Sequence, residues 1–168
     1  MKLKDRVIEL RRIPAGELAP NPKNWRTHPI SQQDALSGLL TEIGLSAAAI
    51  SVERPEGLVL LDCHLRTEIV ADETIPVVNV DLNDDEADKF LTTFDSIGSL
   101  AVADPEKLEQ LLGEISTKSA AVQAMLDRMA SKHGITSPDF SPTGNGSQGL
   151  LDQKKSVTCP NYGGELQP

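Results

Sequence analysis

The sequence predicts an α+β domain followed by helical and polar appendages, and three observations predict it. Short β-branched runs bounded by Pro, Gly or Asn alternate with apolar stripes at helical spacing as far as about residue 95. Two more amphipathic helices then follow with no strand between them. From residue 137 to 149 the chain turns to Ser, Pro, Gly and Asn, which cannot bury enough apolar surface to offset the entropy of ordering. The length of 168 residues allows one domain, or one domain plus appendages.

Each element carries its own signal. Residues 7–13 read as a first strand, broken by Pro14 and Pro20. Residues 21–29 form a polar loop with turn formers at both ends. Ser31 is expected to open a helix, with Asp34 three residues on in a variant of the capping box. Leu36, Leu39, Leu40 and Ile43 share one face, expected to meet the sheet, and Gly44 is the expected C-cap. Residues 48–53 and 58–62 read as two strands joined by the turn Arg54-Pro55-Glu56-Gly57.

Residues 64–71 then form a short helix, and 75–80 a strand apolar enough to be buried on both faces. Asn83 caps a helix whose Asp84, Asp85 and Glu86 suit the positive end of its dipole, with Ala87, Phe90, Leu91 and Phe94 facing inward. Asp104 and Pro105 open the next helix, with the stripe Leu108, Leu111, Leu112 and Ile115. Val122, Met125, Leu126 and Met129 mark the last, which ends at Gly134 and is expected to pair with its predecessor as a hairpin.

Composition excludes several functions. Hydrophobic residues make up 39% and aromatics 3%, lean for a chain packed over its full length. No apolar run approaches the roughly 20 residues that span a bilayer. The charged N-terminus has no apolar stretch behind it, so no signal peptide is expected. Cys63 and Cys159 lie in unlike contexts, which predicts no disulfide framework and a cytoplasmic location. The formal charge is −9, unevenly spread: residues 1–36 carry seven Lys/Arg against four Asp/Glu, residues 53–116 four against sixteen. Such a chain cannot rely on the non-specific phosphate attraction that dominates DNA affinity. That argues against a general DNA coat and confines any nucleic-acid contact to the N-terminal face.

Two segments concentrate unusual chemistry. The loop 21–28 gathers Lys23, Asn24, Arg26 and His28 around the sole tryptophan, Trp25. The segment 60–68 runs from strand to helix through Asp62, Cys63, His64, Leu65 and Arg66. Amides at a helix N-terminus attract anions, and a basic side chain one turn in completes a phosphate site. The competing reading pairs Arg66 with Glu68 or Asp62 and makes His64 a surface cap. The residues alone leave both open.

The loop Pro20-Asn21-Pro22-Lys23-Asn24-Trp25-Arg26, the helix ending at Gly44, the strand pair, then Asp62-Cys63-His64-Leu65-Arg66 and Ile75-Pro76-Val77-Val78 together resemble the ParB N-terminal domain. That family carries an Asn-Pro-x-x-x-Arg element in the first loop and Gly-x-x-Arg at the strand–helix junction. Small ParB-like proteins of phages and mobile elements share the loop and an Asp-Gly-His-Leu-Arg motif. The resemblance covers residues 7–95 and implies a ParB/sulfiredoxin-like mixed sheet with packed helices. Residues 104–134 would be a helical extension, and 135–168 a flexible linker and tail.

By the same resemblance Arg66 is the phosphate-binding arginine, with backbone around Cys63, His64 and Leu65 cradling the phosphates. Arg26 and Asn24 would approach from the first loop. The implied ligand is cytidine triphosphate or another nucleoside triphosphate with magnesium. DNA would be reached through a partner protein, a homodimer is allowed, and no membrane is involved. Three departures stand out: Cys63 where the motif has glycine, Leu65 where a further basic residue is usual, and Asp95 near the place of a later Asn. Glycine there permits positive φ and close backbone approach, whereas Asp95 adds a negative charge where a triphosphate would lie and could hold magnesium.

Sulfiredoxin shares the fold and carries Gly-Cys-His-Arg with a nucleophilic cysteine. Aligned on the arginine, that cysteine falls at His64, so Cys63 is out of the nucleophile's slot. A thiol beside His64 at a helix N-terminus would still be expected to have a lowered pKa. In the tail, Cys159-Pro160-Asn161-Tyr162-Gly163 looks like half a zinc ribbon with Tyr162 at the second cysteine. One Cys cannot supply four ligands, so no zinc is expected.

The reading these features favour is a nucleotide- or nucleic-acid-phosphate-binding module, accessory to DNA transactions of a phage or mobile element. A ParB-like nuclease or nucleoside-triphosphatase is the enzymatic alternative. It lacks support from any carboxylate or histidine cluster at metal spacing, so no catalytic residue is assigned. A third reading is an adaptor that meets a protein through its acidic helices and has lost its ligand. The helices after residue 104 carry Glu106, Glu109 and Glu114 where a DNA-recognition helix would be basic, so chromosome partitioning as such is not expected.

Overall fold

A computed structural model describes residues 3–135 and, beyond them, the short strands Val157–Thr158 and Glu165–Leu166. The chain divides into two compact units, Met1–Thr136 and Ser137–Pro168. In the second, Val157 pairs with Leu166 and Thr158 with Glu165, antiparallel. The linker expected at 137–149 and the knuckle-like residues around Cys159 lie outside the described residues.

The first unit is built on a mixed four-stranded sheet of order β1-β4-β2-β3. Its strands are β1 (Val7–Pro14), β2 (Ala49–Arg54), β3 (Gly57–Asp62) and β4 (Thr74–Val80). β2 and β3 form the expected hairpin, with Arg54 opposite Gly57 at the turn. Gly57 sits at φ 122°, open to glycine and strained for side chains. β4 runs antiparallel to β1, with Ile13 opposite Ile75, and parallel to β2, with Ala49 opposite Val77.

Alternation along the strands gives the sheet two apolar faces. On one, Ile13, Ala49, Leu60, Ile75 and Val77 pack with Ala15 of the short 3-10 turn Ala15–Glu17 and with Leu18 just after it. On the other, Val52, Val59, Leu61 and Val80 pack under Ala87, with Phe90 against them. β4 is central, and Ile75 and Val77 are 1% and 0% exposed, as its apolar run required. Its one buried polar side chain, Asn79, lies next to Ser51 on β2.

Five helices complete the unit: α1 (Ile30–Ile43), α2 (His64–Ile69), α3 (Asp84–Ser99), α4 (Pro105–Glu114) and α5 (Ala120–Lys132). Asn83 and Glu86 form a full capping box on α3, and the side chains of Asp104 and Ser119 cap α4 and α5. The start of α1 corrects the sequence reading. The helix begins at Ile30 behind Pro29, and no side chain caps it. The Pro29 carbonyl takes the Gln32 and Gln33 N–H groups instead, at 2.9 and 3.1 Å. Gly44 is the C-cap, at φ 75°.

A second correction concerns what α1 faces. Leu39 is 36% and Ile43 61% exposed, and only Ala35 of this helix is buried. The helix packs on α5 rather than flat on the sheet. At Gly38 a Cβ would come within 2.8 Å of Ser119 Cβ and 3.0 Å of Val122 Cγ2, so a glycine sets the spacing. Glu42 Oε1 fixes the same junction, accepting from Thr117 Oγ1, Lys118 N–H and Ser119 N–H at 2.7, 2.7 and 2.9 Å. α4 and α5 do pack together as a hairpin. α4 buries no residue outright, however, and Leu111 and Ile115 stay 52% and 42% exposed. No helix among the described residues is long and apolar enough to cross a membrane.

Candidate functional site

β3 carries Leu60 and Leu61 into opposite cores and ends at Asp62. The chain must then reverse into α2, and it does so through Cys63 at φ 71°, ψ 24°. This is the left-handed region, and Cys63 is the one non-glycine residue in it among the described residues. Such a conformation costs an L-residue roughly 1–2 kcal/mol. The place where the sequence motif calls for glycine is thus a place where the backbone itself calls for glycine.

The Cys63 side chain is half-buried. Its thiol reaches Asp62 Oδ2 at 3.4 Å and the Ala48 carbonyl at 3.7 Å, and Sγ accepts from Arg66 Nη1 at 3.1 Å. The lowered thiol pKa expected from sequence is overturned. Burial and then the Asp62 charge push it up to about 12, against the smaller opposing pull of Arg66. The thiol is therefore neutral at physiological pH and poorly nucleophilic.

His64 is not a surface cap. It is 7% exposed, and its Nε2 accepts the backbone N–H of Asn21 at 3.2 Å. This bond ties the first loop to the strand–helix junction. It also requires Nε2 to be the unprotonated nitrogen. Burial lowers the His64 pKa below its ordinary value; Asp62 and Glu68 oppose the shift, while His28 and Arg26 add to it. Leu65 is buried in the core, so only its backbone faces the turn. Thr67 Oγ1 donates to the His64 carbonyl at 2.7 Å and secures the first turn of α2.

Arg66 makes no ion pair with Glu68, Asp62 or any other carboxylate among the described residues. Its guanidinium touches Cys63 Sγ and comes within 3.5 Å of the Ala47 carbonyl. The ion-pair alternative for Arg66 has no counterpart in the geometry.

The first loop is shaped by its asparagines. Asn21 Oδ1 accepts the Lys23 N–H at 2.9 Å, and Asn24 Oδ1 accepts the Arg26 N–H at 3.3 Å. Such turns hold a loop without help from neighbours. Asn24 thereby shapes the backbone leading to Arg26. Arg26 lies over the Trp25 ring, 4.5 Å from its centroid, and pairs with Asp95 of α3 at 3.3 Å. Lys23 turns away to Asp88, at 2.6 Å. The field of Asp95 also reaches Cys63. Cys63, His64, Arg66, Arg26 and Asp95 thus gather at one end of the sheet.

A hollow of about 190 Å³ beside the cluster is lined by His64, Thr67 and Glu68. Another, of about 340 Å³, is lined by Asn21, Lys23, Arg54 and Asp88. Neither is lined by Arg66 or Arg26. Sequence reasoning missed Asn21, whose part is played by its amide, and the Ala47 and Ala48 carbonyls. Nothing in their residue types signals these contacts. No group of three or more His, Cys, Asp or Glu side chains among the described residues is arranged to hold a metal ion.

No family model matches this chain, and no curated protein matches it. Several solved structures resemble it, among them two ParB structures. The "Pnob8-like ParB-N domain" matches at TM-score 0.45 and 15% identity, over 98% of this chain and 59% of that one. The C-terminally truncated chromosome-partitioning protein ParB from Caulobacter crescentus, complexed with CTP-gamma-S, matches at TM-score 0.50 and 18% identity. That match covers 76% of this chain and 72% of the ParB chain. At this identity the likeness is one of fold, and the fold of this chain is ParB-like: a mixed four-stranded sheet with packed helices.

Proposed function

We propose that residues 7–95 form a ParB-like module that binds a nucleoside triphosphate, with 104–134 as a helical extension docked on α1. The observation that carries this reading is Arg66: a guanidinium without a carboxylate partner among the described residues, at the mouth of a turn held in a glycine-like conformation. A planar guanidinium takes phosphate oxygens in pairs. Backbone around Cys63, His64 and Leu65 would approach the phosphates, while His64 positions the first loop through Asn21. Arg26 is the second cation, exchanging Asp95 for a phosphate. Magnesium would arrive on the phosphates and needs only one or two carboxylates, of which Asp95 would supply one.

The ParB structure of the same fold was solved with CTP-gamma-S, which makes cytidine triphosphate the first ligand to try. The wider setting, accessory to DNA transactions of a phage or mobile element with DNA reached through a partner, rests on the sequence motifs. The test is calorimetric titration of the full chain with each of the four ribonucleoside triphosphates in magnesium. Saturable binding of one of them supports the module. No heat and no protection from any of the four at millimolar concentration sinks it.

A further inference from the structure

We propose that β1 is the docking edge for a second copy of this chain, paired antiparallel about Leu10. The sheet has two edges, and one is closed. On β3, the Leu60 N–H donates to the Ala19 carbonyl at 2.9 Å and the Ala19 N–H donates to the Leu58 carbonyl at 2.8 Å. The chain at Ala19 therefore occupies that edge. β1 has no such cover among the described residues: no strand of the first unit lies beyond it, and Ile13 alone of its residues is buried. An open edge presents unpaired N–H and C=O groups and is a template for another strand.

What β1 exposes is unusual for a blunted edge. Val7, Ile8 and Leu10 are 55%, 56% and 66% exposed, three large apolar side chains on one strand. Glu9 and Arg11, which share the opposite face from Leu10, pair with each other at 3.4 Å. These charges select the partner and the register. Residues directly opposite in an antiparallel pair share a face. A two-fold axis through Leu10 sets Glu9 against Arg11 of the second copy, and Arg11 against its Glu9. Moving the axis to Glu9 or Arg11 would set like charges against each other.

On the other face of the sheet Leu10 meets Leu10 of the second copy, removing the most exposed apolar group of the strand from water. The bulge near Ile8 and the proline at position 14 bound the pairing to a short central stretch. The product is one continuous sheet of eight strands, and it does not depend on the nucleotide reading.

The test is sedimentation velocity of the full chain over a concentration series, with far-UV circular dichroism confirming that each variant is folded. The wild type should shift from monomer to dimer. Leu10→Arg, which sets two cations at the axis, should stay monomeric. Glu9→Arg should weaken the dimer, and Glu9→Arg with Arg11→Glu should restore it, because the exchanged charges again oppose. A wild type that stays monomeric throughout overturns the proposal. So does a dimer indifferent to Glu9→Arg, or one that the double exchange fails to recover. These last tests keep the proposal exposed even if Leu10→Arg does not fold.

Discussion

Arg66 donates from Nη1 to the Sγ of Cys63 at 3.1 Å, and Cys63 is the residue that bends the chain between β3 and α2. The two facts belong together. The left-handed turn swings the first turn of α2 so that Arg66 lies back over the junction. The thiol then stands against the guanidinium that, in the proposed complex, would take the phosphate.

Replacing Cys63 with glycine should therefore strengthen nucleotide binding several-fold. Stability should change by no more than about 1 kcal/mol, because relief of the left-handed strain is offset by the added freedom of the unfolded chain. Cys63→Val, β-branched at the same φ, should lose about 1–3 kcal/mol. Urea denaturation of the two variants decides it. Equal losses would show that packing, not backbone conformation, rules the position.

The Cys63 thiol, with its pKa pushed up to about 12, should resist alkylation in the folded state. Iodoacetamide at neutral pH, followed by mass spectrometry of the peptide, should find it largely unmodified until denaturant is added. Rapid modification of the native protein would contradict the burial and charge described for it.

His64 should make the protein acid-sensitive. Its pKa is lowered by burial, so between the folded value and the ordinary 6.5 the unfolded chain binds more protons. Stability contributed by neutral His64 is complete above 6.5 and is lost as pH falls toward the folded value. Protonation at Nε2 also ends acceptance from Asn21 and so loosens the first loop. Comparing wild type with His64→Gln across this range isolates the effect from other titrations. A difference that stays flat would mean that His64 titrates alike in both states.

Much of this fold was legible in the sequence because its signals are local. Asn83, Asp104 and Gly44 announce helix ends by their own chemistry, and the apolar run at 75–80 can only be a central strand. The inward face of α1 was misjudged because periodicity reports which residues share a face, not which neighbour that face meets. Gly38, which carries no periodic signal, sets the contact with α5. At the site, Cys63 was legible as a residue in a glycine's place. The burial of His64 was not, since it depends on Asn21, distant in sequence and acting through its amide.

Gly38→Ala tests the α1–α5 contact. A methyl group has no room between the backbone and Ser119, so the helices must separate at a cost of about 1–3 kcal/mol. That outweighs the roughly 1 kcal/mol that alanine gains over glycine in a helix interior. Thermal denaturation of Gly38→Ala should show a net loss, partly recovered by adding Ser119→Gly. A net gain would mean that the helical extension is not held where it is described.

The two faces of the sheet, rather than α1, should dominate stability. Leu60→Ala, at a position 2% exposed in the core, should cost about 2–5 kcal/mol. Leu39→Ala, at a position 36% exposed toward α5, should cost about 1 kcal/mol or less. Comparable losses at the two sites would put α1 against the sheet after all.

The nucleotide reading is tested most directly by one comparison: cytidine triphosphate with magnesium, titrated into wild type and Arg66→Ala. A charge-assisted phosphate contact is worth about 1.5–3 kcal/mol, so the variant should bind about tenfold to a hundredfold more weakly. Its melting temperature should barely move, because Arg66 holds no carboxylate among the described residues. Unchanged affinity in Arg66→Ala, or a fall in melting temperature without any effect on binding, would contradict the assignment of Arg66 as the phosphate-binding residue.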